Sequence, residues 1–196
     1  MSDRKSTIKR ETNETQISLE INVDGNGQHN VDTSNGMLDH LLVQLSRHGL
    51  LDLTITARGD IQVGWHHLVE DVGIVLGRAL REAVGDARGI TRMAHSYVPL
   101  DEALVLVVVD FSGRGYAVIE AEIGDSDLGG LPGDTIRHFL ESMAREGGFN
   151  LHVRMLSGIN NHHIAEATFK ALSRAIRLAL TLDDRVERNV IPSSKG

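Results

Sequence analysis

The chain has 196 residues, a formal net charge of −7, 41% hydrophobic residues, 4% aromatics and no cysteine. That length allows one domain or two small ones, and the composition supports an aliphatic core. The acidic balance without a long basic run argues against a nucleic-acid partner, no apolar run reaches the length of a membrane span, and the polar start MSDRKSTIKRETNET lacks the apolar core of a signal peptide.

Residues 1–15 are polar and charged and read as a partly mobile arm. Ile17, Leu19, Ile21 and Val23 alternate with polar residues, the period of a half-buried strand. Asp24-Gly25-Asn26-Gly27 is a turn signal, and 28–33 reads as a second strand. Residues 37–47 have helical apolar spacing with Gly49 as C-cap. Residues 52–57 alternate again, 58–60 turn, 61–64 read as short and extended, and 66–84 form a long helix with an apolar stripe. In the second half, 103–110 is an apolar run of strand type, 112–115 a turn and 116–123 a strand. A glycine-rich loop over 125–133 does not match the phosphate-loop pattern GxxxxGK[ST]. A helix over 135–145, a strand over 150–156 and a helix over 162–180, capped by Asn160 or Asn161, complete the half.

Both halves therefore run strand, strand, helix, strand, helix, an internal duplication. The fold expected is α+β, with a βα unit used twice. It has two four-stranded-type sheets, each with two helices on one face, and the halves join by sheet faces or by helix faces. The boundary lies near 89–95, giving a first half-repeat over 1–92 and a second over 93–196 that includes the C-terminal tail.

Each half carries the same signature. His66-His67-Leu68-Val69-Glu70 and His162-His163-Ile164-Ala165-Glu166 are both HHxxE, and a lone histidine precedes each, His40 by 26 residues and His138 by 24. On a helix, residues four apart lie one above the other, so His66 with Glu70, and His162 with Glu166, can grip one ion. His67 and His163 point roughly 100° around the axis and suit a different ion. The duplication leads to one ion on His66, Glu70, His138 and His163, and another on His162, Glu166, His40 and His67. Three imidazoles and a carboxylate suit Mn, Fe, Co, Ni or Zn better than Mg or Ca. Four protein ligands leave open positions, the mark of a catalytic centre. HHxxE differs from the zincin HExxH, in which the glutamate lies between the histidines and acts as a base.

At these residues the sequence resembles the imidazoleglycerol-phosphate dehydratase family. The matching stretches are LDHLLVQLSRHG (38–49), HHLVEDVGIVLG (66–77), VPLDEAL (98–104), DFSGRGY (110–116), HHIAEATFKAL (162–172) and IPSSKG (191–196). The resemblance implies a fold like domain 2 of ribosomal protein S5. It also implies a cytoplasmic homo-oligomer of 24 subunits, with two Mn(2+) per active site at subunit interfaces. The activity implied is a hydro-lyase of histidine biosynthesis that converts D-erythro-imidazole glycerol phosphate to imidazole acetol phosphate through a di-metal-bound imidazolate.

By position, the resemblance makes Glu14 the acid–base residue. Arg92, Arg114 and Lys195, with Ser193 and Ser194, become phosphate-binding groups, and Gln44, Arg47, His48 and Lys170 line the substrate site. Asp101 either orients a group there or caps local backbone. His29, His95 and His152 match no ligand. The chain departs from the family at Trp65 and Leu68, where an acid and a threonine are usual, and at Met37 and Val43. Trp65 removes an expected hydrogen-bond partner for a ligand histidine, which predicts a looser site or a reshaped pocket. A di-metal phosphate-ester hydrolase and an inactive metal-assembled paralogue are the competing readings.

Overall fold

The computed structural model describes residues 4–121, 123–124, 126–185 and 190–192. The first sheet has the order β1-β2-β4-β3, built from β1 (Lys5–Glu11), β2 (Thr15–Asn22), β3 (His29–Asp32) and β4 (Asp52–Gly59). The second repeats it as β5-β6-β8-β7, from β5 (Met93–Leu100), β6 (Ala103–Asp110), β7 (Tyr116–Glu120) and β8 (Asn150–Ser157). In each sheet the last-named strand runs parallel to its neighbour and the other pairings are antiparallel. The helices are α1 (Gly36–Gly49), α2 (His66–Val84), α3 (Asp134–Gly147) and α4 (Asn161–Leu180). The duplicated α+β architecture is as expected.

Both sheets are four-stranded as expected, but one strand of each, β1 and β5, is not marked by the alternation of the sequence. β1 lies in the segment expected to be mobile. Its inward face, Ser6, Ile8 and Arg10, offers a single aliphatic residue, so the alternation is nearly invisible. β5 is hidden for the opposite reason. Met93, Tyr97 and Pro99 on its exposed face are as apolar as Ala94, Val98 and Leu100 on the other. Both are first strands of their sheets, paired on one side only, where a proline and polar inward residues are tolerated. Residues 61–63, expected to be extended, form one 3-10 turn closed by Val63 N–H on the Asp60 carbonyl.

The two halves meet through their helices. α2 packs on β1 and β2 and against α3, while α4 packs on β5 and β6 and against α1, so the helical layer lies between the sheets. Its core is aliphatic, as composition required: Leu41, Leu42, Leu45, Val69, Val72, Leu76 and Ile176 are all fully buried. The α2–α3 contact is close because α2 carries glycines at successive turns. A Cβ at Gly73 would lie 2.6 Å from the Phe139 carbonyl oxygen, and one at Gly77 would lie 2.5 Å from that of Met143. At Gly49 a Cβ would meet the Leu51 side chain at 3.0 Å. This glycine sits inside the last turn of α1, and Leu50, at φ 52°, takes the left-handed cap position expected of Gly49.

Candidate metal centre and substrate site

Asn35 fixes the start of α1. Its side-chain oxygen accepts from Met37 N–H at 3.1 Å and Leu38 N–H at 3.0 Å. Asp39 then accepts from the Thr33 backbone N–H at 2.8 Å and the Thr33 hydroxyl at 2.6 Å, which leaves His40 in the first turn facing α4. Asn160 caps α4 in the same way, through His162 and His163 N–H. α2 has no such cap; Trp65 precedes it with helical backbone and no side-chain bond to the helix end.

These helix starts assemble two groups of three, each drawn from both halves, and among the described residues the second has all its donor atoms within metal-binding reach of one another. In the first, the His66 and His138 rings meet with centroids 4.6 Å apart, and His66 Nε2 lies 3.5 Å from Glu70 Oε2. The other oxygen of Glu70 takes the Ser142 hydroxyl at 3.3 Å and faces Arg145 at 3.6 Å. In the second, His40, His162 and Glu166 have ligand atoms all within 4.8 Å of one another. His40 Nε2 is 3.0 Å and His162 Nε2 3.3 Å from Glu166 Oε2. Lys170, one turn on, holds Glu166 Oε1 at 2.6 Å. Burial opposes ionisation of Glu166, but the hydrogen bonds from Lys170 and His40 outweigh it and hold its carboxyl at about 2.

His67 and His163 are the fourth ligands expected from the duplication, and each is engaged with carboxylates outside these groups. The His67 ring stands edge-on to His66, with centroids 6.2 Å apart. Its Nδ1 lies 3.1 Å from Asp60 and 3.8 Å from Glu14. His163 Nδ1 lies 2.7 Å from Glu102 Oε2, and its Nε2 is 3.8 Å from Asp101. Hydrogen bonding to Asp60 raises His67 above its ordinary value, and hydrogen bonding to Glu102 does the same for His163. In return, the bond from His163, followed by the Asn160 backbone N–H, pulls Glu102 down to about 2. One chain thus brings together three of the four donors expected for one ion, His40, His162 and Glu166, whereas for the other it pairs His66 with Glu70 and sets the His138 ring beside His66. Two imidazoles and a carboxylate, with no thiolate, fit a first-row transition ion and leave positions for further donors.

The remaining candidates fall in three places. Glu14 is exposed at the β1–β2 turn beside His67. Gln44 and His48 are half-buried on α1, and Arg47 is exposed there. Burial, and next the positive charge of Lys170, lower His48 below its ordinary value. Arg92 is bound to Asp110, with Nε 2.7 Å and Nη2 3.2 Å from its two carboxylate oxygens, and Nη1 donates to the Pro192 carbonyl. It lines a concavity of about 290 Å³ with Arg81, Phe111, Ser112 and Pro192, and Arg114 lies exposed in the adjoining turn. Ser193, Ser194 and Lys195 lie outside the described residues.

Sequence reasoning missed Asp60 and Glu102. In the sequence Asp60 reads as an ordinary turn residue, and PLDEAL points to Asp101 rather than Glu102. Trp65 makes no side-chain bond to the start of α2, while Asp60 supplies a partner to His67. Leu68, at 1% exposure, belongs to the core.

The sequence model for "Imidazoleglycerol-phosphate dehydratase" matches residues 33–176. The imidazoleglycerol-phosphate dehydratase of Dehalococcoides mccartyi (strain ATCC BAA-2266 / KCTC 15142 / 195) is 51% identical over 196 residues, covering 100% of this chain and 98% of its own. That of Methanothermobacter thermautotrophicus is 50% identical over 193 residues, covering 98% of this chain and 97% of its own. The crystal structure of the Staphylococcus aureus imidazoleglycerol-phosphate dehydratase superposes with a TM-score of 0.83 at 34% identity, covering 91% of this chain and 99% of that one. The Pyrococcus furiosus structure, in complex with (S)-C348, gives 0.82 at 37% identity over 96% and 99%. On this similarity, the chain belongs to the imidazoleglycerol-phosphate dehydratase family.

Proposed function

We propose that the chain dehydrates D-erythro-imidazole glycerol phosphate to imidazole acetol phosphate in histidine biosynthesis, and that the reaction requires two Mn(2+) ions per active site. The observation that supports the metal requirement is the His40–His162–Glu166 triad, whose donor atoms lie within 4.8 Å of one another, with His66, Glu70 and His138 grouped at the corresponding helix starts. Because His67 and His163 engage carboxylates outside these groups, the reading completes each ion with a donor from a second copy. On this reading the site belongs to a subunit interface of a homo-oligomer, for which 24 subunits and a cytoplasmic location are the expectation.

The chemistry needs help because the hydrogen lost is not next to a carbonyl. The imidazole ring must act as the electron source that lets the neighbouring hydroxyl depart. Bound ions supply Lewis acidity to the ring nitrogens. The chain's own residues do the rest. The Glu14 carboxylate moves the proton from the carbon beside the departing hydroxyl, and the enol left behind becomes the ketone. Arg92, Arg114 and the segment Ser193-Ser194-Lys195 supply cationic and hydroxyl donors to the phosphate, and Gln44, Arg47, His48 and Lys170 line the substrate site.

Mn(2+) titration of the chelated chain tests the ligand set. The wild type takes two ions per chain, and His66→Ala and His162→Ala each take one. Both ions at full occupancy in either variant would overturn the assignment.

A further inference from the structure

We infer that Glu102 and Asp60 are positioning residues that set the tautomer of His163 and His67 and leave Nε2 of each ring bare as a metal donor. The inference rests on the ligand reading above and adds to it the groups that make those two rings usable. In both, it is Nδ1 that meets the carboxylate, at 2.7 Å for His163 on Glu102 and 3.1 Å for His67 on Asp60. A carboxylate only accepts, so Nδ1 carries the proton and Nε2 keeps its lone pair. Hydrogen bonding of this kind orients a ligand histidine and raises its donor strength.

The arrangement recurs in both half-repeats, with the acid coming from different places. Glu102 belongs to the β5–β6 turn, and Asp60 follows β4. An incidental surface pair has no reason to appear on the same nitrogen of both histidines. The Glu102 carboxylate is itself held rigid, since Oε1 accepts from Asn160 N–H at 2.8 Å and Ile159 N–H at 3.3 Å, immediately before α4.

This fixed geometry makes Glu102→Gln a selective test. The glutamine keeps its carbonyl oxygen on the two backbone N–H donors, because turning the amide round would set NH2 against N–H. The NH2 then faces His163 Nδ1, which must accept, so the proton moves to Nε2 and the ring cannot bind an ion. The loop keeps its hydrogen bonds; only the tautomer is reversed.

The experiment is a titration of the chelated full chain with MnCl2, with free Mn(2+) read by electron paramagnetic resonance and thermal unfolding recorded on the metal-free samples. Glu102→Gln is expected to melt as the wild type does and to bind one of its two ions about 10- to 100-fold more weakly. Asp60→Ala, which removes the acceptor outright because among the described residues no backbone N–H donor fixes the Asp60 carboxylate, weakens the other ion, and the double variant weakens both. His163→Ala is the control and binds one ion. If His163→Ala loses an ion while Glu102→Gln binds both with wild-type affinity, the positioning role is overturned and the ligand reading stands. If Glu102→Gln loses affinity only together with a lowered melting temperature, the role is structural and the inference fails. If His163→Ala itself keeps both ions, the ligand reading fails and takes the inference with it.

Discussion

The rings of His66 and His138 meet edge to face with centroids 4.6 Å apart, although they belong to different half-repeats. What brings them together is the close packing of α2 on α3, which the missing side chain at Gly73 permits. A methyl group there would lie 2.6 Å from the Phe139 carbonyl oxygen, next to His138 in the chain. Gly73→Ala is therefore expected to cost about 1–3 kcal/mol of stability and to weaken Mn(2+) binding at the His66 group more than at the His40 triad. Chemical denaturation and Mn(2+) titration check the two parts separately.

Asp71 is buried directly behind Glu70. It accepts from the Thr15 hydroxyl and pairs with Arg10 at 3.0 Å, tying α2 to β1 and β2. Asp71→Ala strands the guanidinium of Arg10 in a mostly buried position and is expected to destabilise the chain by about 3 kcal/mol. Replacing Arg10 and Asp71 together with apolar residues should cost less than either change alone, which a double-mutant cycle in denaturant measures.

Much of this was legible in advance because it rested on periodicity. The HHxxE helices, their upstream histidines and the order of elements all follow from spacing, which the chain shows twice. β1 and β5 were not legible, because Ser6 and Arg10 point inward from one while Met93 and Tyr97 point outward from the other. Asp60 and Glu102 were hidden for another reason. Their partners are 7 and 61 residues away along the chain, and a hydrogen bond between a turn and a helix start leaves no spacing to read. The junction between halves stayed open until the helix contacts settled it, since an amphipathic helix shows which face is apolar but not what covers it.

pH dependence separates metal-free from metal-loaded protein. His67 and His163 are raised above their ordinary value of 6.5 by Asp60 and Glu102. In the metal-free chain their contribution to stability is fully present below 6.5 and is lost as pH rises through the folded values. Ion binding displaces those protons, so Mn(2+) affinity should rise over the same window and level off only above it. Glu166, held at about 2, contributes stability above its unfolded value near 4.5 that is lost as pH falls toward 2. Melting curves with and without Mn(2+) from pH 5 to 9 should therefore slope in opposite directions above 6.5.

Glu14 stands 3.8 Å from His67 Nδ1, whereas Asp60 is nearer at 3.1 Å. Glu14→Gln should accordingly leave both ions bound and lower turnover by about 10²–10⁴. Loss of an ion in this variant would make Glu14 part of the metal site instead.

The most direct measurement follows product formation from imidazole glycerol phosphate by protein stripped with chelator and by the same sample reloaded with MnCl2. Imidazole acetol phosphate should appear only after reloading. Undiminished turnover by the fully stripped protein, or release of inorganic phosphate in place of the ketone, would contradict the account.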